Sequence, residues 1–191
     1  MKTLAIITRV HPNRPNMLQK CVDSVKNQTS DDCIHILHRH DKTQQGYGKW
    51  NANKSLAEVK DIPARYAMVL DDDDMLVDPK FVEDFKKIVD GKNPEIVFFR
   101  GIIHRFGPLP TDKCWKRPPA FGRIGSFCLA VRADVWKKYI HRFGAKLSGG
   151  DFCFISACYR NTKKHIWWNR IVAKTQWETR AGSGRAEEKS A

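Results

Sequence analysis

Tyr66-Ala67-Met68-Val69-Leu70-Asp71-Asp72-Asp73-Asp74 is the stretch on which the reading of this chain turns. Its first five residues have the length and composition of a strand buried on both faces. Four consecutive carboxylates follow with no spacer. Like charges in a row repel one another, and a cation beside them relieves that repulsion. Carboxylate oxygens suit Mg2+ or Mn2+, hard ions that keep waters and bridge phosphates. In an extended segment Asp71 and Asp73 point to the same side, which makes them the candidate metal pair. The bland alternative is a solvated acidic turn with Asp74 or Asp78 capping the next helix, although four aspartates exceed what a cap needs. An EF-hand is excluded, because Met75 and Leu76 stand where an oxygen ligand and a glycine are required.

Outward from this stretch, short apolar runs alternate with helical periodicity. Leu4–Ile7 reads as a first buried strand, broken by Pro12-Asn13-Arg14-Pro15. Leu18, Cys21, Val22 and Val25 then mark one face of a helix. Cys33–Leu37 predicts a second strand, and 50–59 a second helix. Beyond the aspartates, Asp78 and Pro79 open a helix whose apolar face is Phe81, Val82, Phe85, Ile88 and Val89. Ile96–Phe99 is a fourth strand. Strand–helix alternation of this kind predicts an α/β domain with a mostly parallel central sheet flanked by helices. The second half is less regular: a Pro-, Gly- and base-rich loop over 104–125, a strand over 126–131, and helices near 135–140 and from Gly149-Gly150-Asp151. One or two strands are expected within 165–177. Residues 1–179 are read as one domain, and 180–191 as a tail or linker.

The chain has 191 residues, and 41% of them are hydrophobic, enough for a packed core in one domain. Its opening apolar run is too short for a signal-peptide core, so a cytosol-like, cytoplasmic setting is expected. The six cysteines form no C-x-x-C pair, which disfavours a zinc ribbon. A formal net charge of +13 points to an anionic partner: nucleic acid, an acidic membrane surface or a nucleoside diphosphate. His38 and His40 share a strand face, but two histidines fall short of a zinc centre.

At the aspartates the chain resembles the D-x-D motif of GT-A fold glycosyltransferases, and is most similar to glycosyltransferase family 2. Thr3–Arg9, Arg14 and the helix ending Ser24-Val25-Lys26-Asn27-Gln28-Thr29 resemble that family's opening strand and first helix. Gly48-Lys49-Trp50-Asn51-Ala52-Asn53 is similar to its G-x-x-x-A-x-N segment, and Gly149-Gly150-Asp151 to the motif that supplies its catalytic base. Gly150 departs from the pattern, standing where the family usually has an acid.

The resemblance implies a metal-dependent transfer of a sugar from a nucleotide-sugar donor, a UDP-sugar first, to an acceptor hydroxyl on a glycan, glycoprotein or lipid-linked molecule. It implies that Asp71 and Asp73 hold Mn2+ or Mg2+, with Asp72 approaching the donor. Thr8, Arg9 and Arg14 are expected at the nucleotide. Asp41 is either a base or ribose contact or a turn former, and Lys49 and Asn53 either reach the nucleotide or serve capping and surface roles. Asp151 would deprotonate the acceptor for inverting displacement; its alternative is a carboxylate favoured at a helix N-terminus. Trp115, Trp136, Trp167, Trp168 and Trp177 could include a sugar-stacking platform or simply pack. His165, Lys174, Arg180 and Arg185 are further diphosphate candidates. Two rivals stand beside this reading: a metal-dependent nucleotidyl- or phosphotransferase, and a non-enzymatic basic module binding nucleic acid or membrane. No nucleic-acid motif is present, whereas a peripheral membrane contact is compatible with a lipid-linked acceptor.

Overall fold

The computed structural model describes residues 1–39, 49–104, 106–145 and 149–176, with the side chains of 49–52 left aside. Strand β1 (Lys2–Val10) lies between β2 (Cys33–Arg39) and β3 (Ala64–Val69), parallel to both. Its side chains are almost all buried, as befits a strand covered on both faces. Helix α1 (Pro15–Lys26) carries proline at its first turn and buries Cys21 and Val25. Helix α2 (Lys49–Leu56) leads into β3, and a short strand β4 (Asp74–Leu76) follows the aspartates.

Helix α3 (Phe81–Lys92) begins two residues later than its proline suggests. Asp78 still does capping work: its carboxylate accepts the Lys80 amide at 3.1 Å, forming a turn just ahead of the helix. Phe81 and Phe85 of α3 pack edge-on against Phe99 and Tyr66, with ring centroids 5.2 and 5.4 Å apart. These contacts pin α3 to the sheet. Strand β5 (Ile96–Ile103) is followed by β6 (Gly107–Leu109), β7 (Leu129–Arg132), α4 (Ala133–Tyr139), a 3-10 segment over Ile140–Ala145, α5 (Gly150–Arg160) and β8 (His165–Thr175).

The sheet order is β2-β1-β3-β7-β5-β8-β4, with β6 paired to β5. The α/β class stands, but the pairing is more mixed than alternation alone suggests. Only β2/β1, β1/β3 and β5/β8 are parallel neighbours; β7 inserts antiparallel between β3 and β5. Three buried apolar residues, Leu129, Ala130 and Val131, carry no directional signal, so the long connection before β7 decides its sense. That connection is also more than a surface loop. It contributes β6 and a 3-10 turn at Asp112–Cys114, and it buries Leu109 and Ile124.

Trp136, Phe143 and Phe154 join α4, the 3-10 segment and α5 into a second packed layer, with centroids 5.0–5.5 Å apart. Trp136 Nε1 donates to the Val59 carbonyl at 2.7 Å. Among the described residues, no helix is long and apolar enough to cross a membrane.

Candidate active site

Register places the site. Ile7 pairs with Val69 between two parallel strands, so two residues further on Arg9 and Asp71 emerge side by side at the carboxyl edge of the sheet. That edge is where open α/β sheets bind ligands. Arg9 grips Asp71 with two nitrogens: Nε donates to Oδ1 at 2.7 Å, and NH2 bonds Oδ2. Its remaining nitrogen donates to Asn53 Oδ1 on α2. Burial alone would lower the Arg9 pKa, but Asp71, Asp151 and Asp73 hold the guanidinium above its ordinary value.

The four aspartates do not run extended. The Asp74 amide donates to the Asp71 carbonyl at 2.9 Å, closing a turn. The turn brings Asp71, Asp73 and Asp74 together, with oxygens all within 4.8 Å of one another. It is this turn, not strand alternation, that sets Asp73 beside Asp71, and the third carboxylate comes from Asp74, which alternation alone would send to the other face. Asp74 is 4% exposed, and burial pushes its carboxyl well above the usual range, reinforced by Asp73 and Asp71. An all-carboxylate oxygen set of this kind fits a hard divalent cation.

Asp72 turns inward instead. It accepts the His11 amide at 2.5 Å and Arg14 NH1 at 3.2 Å, and Arg14 also reaches Asp73 at 2.9 Å. Burial pushes the Asp72 carboxyl up to about 7. Asp72 and Arg14 therefore anchor the loop after β1, and neither belongs to the lining of the cleft. Thr8 also faces inward. It is fully buried, and its hydroxyl donates to the Leu70 carbonyl at 2.7 Å while contacting His35 Nε2 at 2.8 Å. Because that hydroxyl proton is committed to Leu70, His35 is the donor in the second bond, which places its proton on Nε2. Asn53 is buried too, and acts on the site through Arg9. Asp41 lies outside the described residues. Lys49 opens α2, but its side chain lies outside them as well.

Asp151 sits in the first turn of α5 and lines the same cleft as Arg9, Asn53, Asp71, Asp73 and Asp74, a volume of about 370 Å3. Its Oδ1 accepts the Phe152 amide at 2.8 Å. Gly149 adopts a left-handed conformation (φ 79°), which a side chain would strain. Gly150 answers why an acid is missing there. A Cβ on it would stand 2.1 Å from the Phe143 carbonyl oxygen and 3.0 Å from Asn53 Nδ2. Close packing of α5 onto the 3-10 segment leaves room for glycine alone.

Two residues invisible to motif reading complete the floor. Asp74 pairs with Thr175 of β8, so the strand end reaches the aspartate turn. The Gln176 amide donates to the Asp73 carbonyl at 2.7 Å, and its side-chain Nε2 bonds the carbonyls of Met17, Asp72 and Asp74 at 2.9–3.2 Å. Nothing in the local pattern around Gln176 signals this clasp. His165, by contrast, begins β8 at the opposite edge of the sheet, bonded to Thr162 at 2.7 Å. Arg180 and Arg185 lie outside the described residues.

Scans against family models and against curated proteins find no match. Solved structures do match. S. aureus TarS 1-349 superposes with a TM-score of 0.70 at 12% identity, over 92% of this chain and 60% of that one. The same protein in complex with UDP-GlcNAc gives 0.69 at 15% identity, covering 100% of this chain and 61% of that one. A longer TarS structure gives 0.69 at 14%, covering 93% and 37%. The chain thus spans about 60% of the TarS 1-349 length, and at such identities the likeness is one of fold. A mixed α/β domain whose curled sheet and flanking helices match those of TarS, a GT-2 family glycosyltransferase, has the GT-A fold.

Proposed function

We propose that this chain transfers a sugar from a UDP-sugar to an acceptor hydroxyl, with Asp71, Asp73 and Asp74 holding Mn2+ or Mg2+ and Asp151 serving as general base. The observation that carries the reading is the convergence of these four carboxylates with Arg9 on one cleft at the carboxyl edge of a GT-A sheet. TarS, of the same fold, has been captured with UDP and with UDP-GlcNAc.

A divalent cation in the carboxylate cluster would supply positive charge to the diphosphate oxygens of the leaving group. Arg9 holds Asp71 in orientation through its two-nitrogen grip; the Gln176 clasp fixes the backbone of Asp72, Asp73 and Asp74. Asp151 takes the proton from the acceptor hydroxyl. That oxygen bonds to the anomeric carbon as the carbon–phosphate-oxygen bond breaks, and the electron pair leaves on UDP. A single displacement of this kind inverts the anomeric centre. The acceptor is read as a glycan, glycoprotein or lipid-linked molecule.

The test is a thermal-shift panel of UDP, GDP, dTDP and CMP, each with Mn2+ or with EDTA. A ligand at 100 times its Kd stabilises by about 2.7 kcal/mol, or roughly 5–10 °C for a chain of this size. UDP should shift the protein only with Mn2+, and Asp73→Ala should abolish the shift. A folded protein that responds to no nucleotide overturns the proposal.

A further inference from the structure

The lining of the cleft divides by chemistry. Arg9, Asn53 and the carboxylates form one part, while Ile103, Phe106, Leu109, Ile124 and Phe127 form an apolar wall. Asp151 and Gly149 belong to the same lining, and Gly149 lies against Phe121, which is 65% exposed. The ring of Phe121 is held from two sides. It lies so close to Gly149 that a Cβ there would meet Phe121 Cε2 at 2.6 Å, and it packs edge-on against Phe152 with centroids 5.7 Å apart. Gly149 and Phe152 flank Asp151 in the chain, so the aromatic face is fixed relative to the proposed base. Phe106, 56% exposed, adds a second ring on the apolar wall.

Trp115, Trp136, Trp167 and Trp168 offer no such face near the site, and the side chain of Trp50 lies outside the described residues. Trp136 is buried, Trp167 stacks on Phe98 at 4.3 Å, Trp168 stacks on Phe81 at 5.9 Å, and Trp115 lies between Trp167 and Arg100. Trp177 lies outside the described residues. Phe106 and Phe121 are exposed phenylalanines, whose faces attract C–H groups and carry no hydrogen-bonding handle.

We propose that Phe121 is the acceptor platform, and that the acceptor is a cyclic sugar whose apolar C–H face lies on this ring while a hydroxyl points at Asp151. The inference rests on the glycosyltransferase reading above and specifies its acceptor class. A pyranose presents one flat face of axial C–H bonds and a periphery of hydroxyls, which matches a rigid aromatic face beside a carboxylate. A linear polyol or a serine side chain has no such face, and would gain little from a ring held in place.

The test uses UDP-glucose, UDP-galactose and UDP-GlcNAc as donors, with UDP release as readout. The acceptors are methyl pyranosides, glycerol, ribitol and a serine-containing peptide. At least one methyl pyranoside should stimulate UDP release, with glycerol, ribitol and the peptide inactive. Phe121→Ala should raise the KM for that pyranoside roughly 3- to 10-fold, the range expected for one aromatic contact. Phe121→Trp should restore it, and UDP binding by calorimetry reports that each variant is folded. An unchanged KM in a folded Phe121→Ala, or stimulation by ribitol, glycerol or the peptide but by no pyranoside, overturns this inference alone. Failure of all three donors to bind or release UDP overturns the glycosyltransferase reading, and this inference with it.

Discussion

Replacing Gly150 and Gly91 by alanine separates steric from helical effects within one protein. Both glycines lie in helices, α5 and α3. Gly150 opens α5 and Gly91 is next to last in α3, so each replacement carries at most the helix-forming gain of about 0.5–1 kcal/mol. Their surroundings are opposite. A Cβ at 91 meets nothing within 4 Å, whereas at 150 it would lie 2.1 Å from the Phe143 carbonyl oxygen. An ordinary contact needs more than an ångström of extra separation, and the obstructing atom is backbone, so no rotamer change relieves it. Overpacking of this kind costs about 1–3 kcal/mol. Set against the helical gain, Gly150→Ala should lose about 1–2 kcal/mol, lowering Tm by roughly 2–8 °C, while Gly91→Ala should raise it by roughly 1–4 °C. Relief of the clash also moves the start of α5 and Asp151 with it. Because a 1 Å misplacement can cost about 100-fold in rate, sugar transfer should fall far more than stability does. Differential scanning fluorimetry and UDP release on both variants check this. If the two alanines shift Tm alike, or Gly150→Ala keeps full activity, the packing argument for glycine at 150 is wrong.

Two further outcomes follow from buried contacts. Burial, with a smaller contribution from Lys26, pushes His35 down to about 4, whereas an unfolded histidine titrates near 6.5. Between those values the unfolded chain binds the proton and the folded chain does not. The stability present above pH 6.5 is therefore lost as pH falls toward 4, by about 2 kcal/mol once residual solvent contact is allowed for. Asp72 and Asp74, whose carboxyls burial raises, contribute the opposite slope over the same range, so the His35 contribution is read as the difference between wild type and His35→Gln in urea titrations; identical pH profiles for the two proteins would refute it. Gln176→Ala removes the side-chain clasp on three carbonyls, and should cost about 1–2 kcal/mol in stability. It should also weaken Mn2+-dependent UDP binding by roughly 10-fold, which a substitution confined to stability would leave intact.

Much of the architecture is legible in local pattern. Leu4–Ile7 and Tyr66–Leu70 read as buried strands because a strand covered on both faces is apolar throughout, and α1 and α3 declare themselves by their 3.6-residue apolar spacing. The aspartates at the end of β3 point to the carboxyl edge for the same local reason. Asp151 after two glycines is likewise visible, since a tight approach and a helix start both leave a mark on neighbouring residues.

What tertiary structure decided involves partners distant in sequence. Alternation in an extended segment sends Asp74 away from Asp71, but the turn closed by its own amide brings them together. Thr8, Arg14 and Asp72 read as strand-end and loop residues in the sequence, but partners 27 to 62 residues away tie them into the protein interior. The direction of β7 is set by the connection before it, and the clasp of Gln176 joins chain segments more than 100 residues apart. Periodicity and composition report the environment of a residue along its own element. Which charge it meets across the cleft depends on strand register and packing, and those are settled only when the whole chain closes on itself.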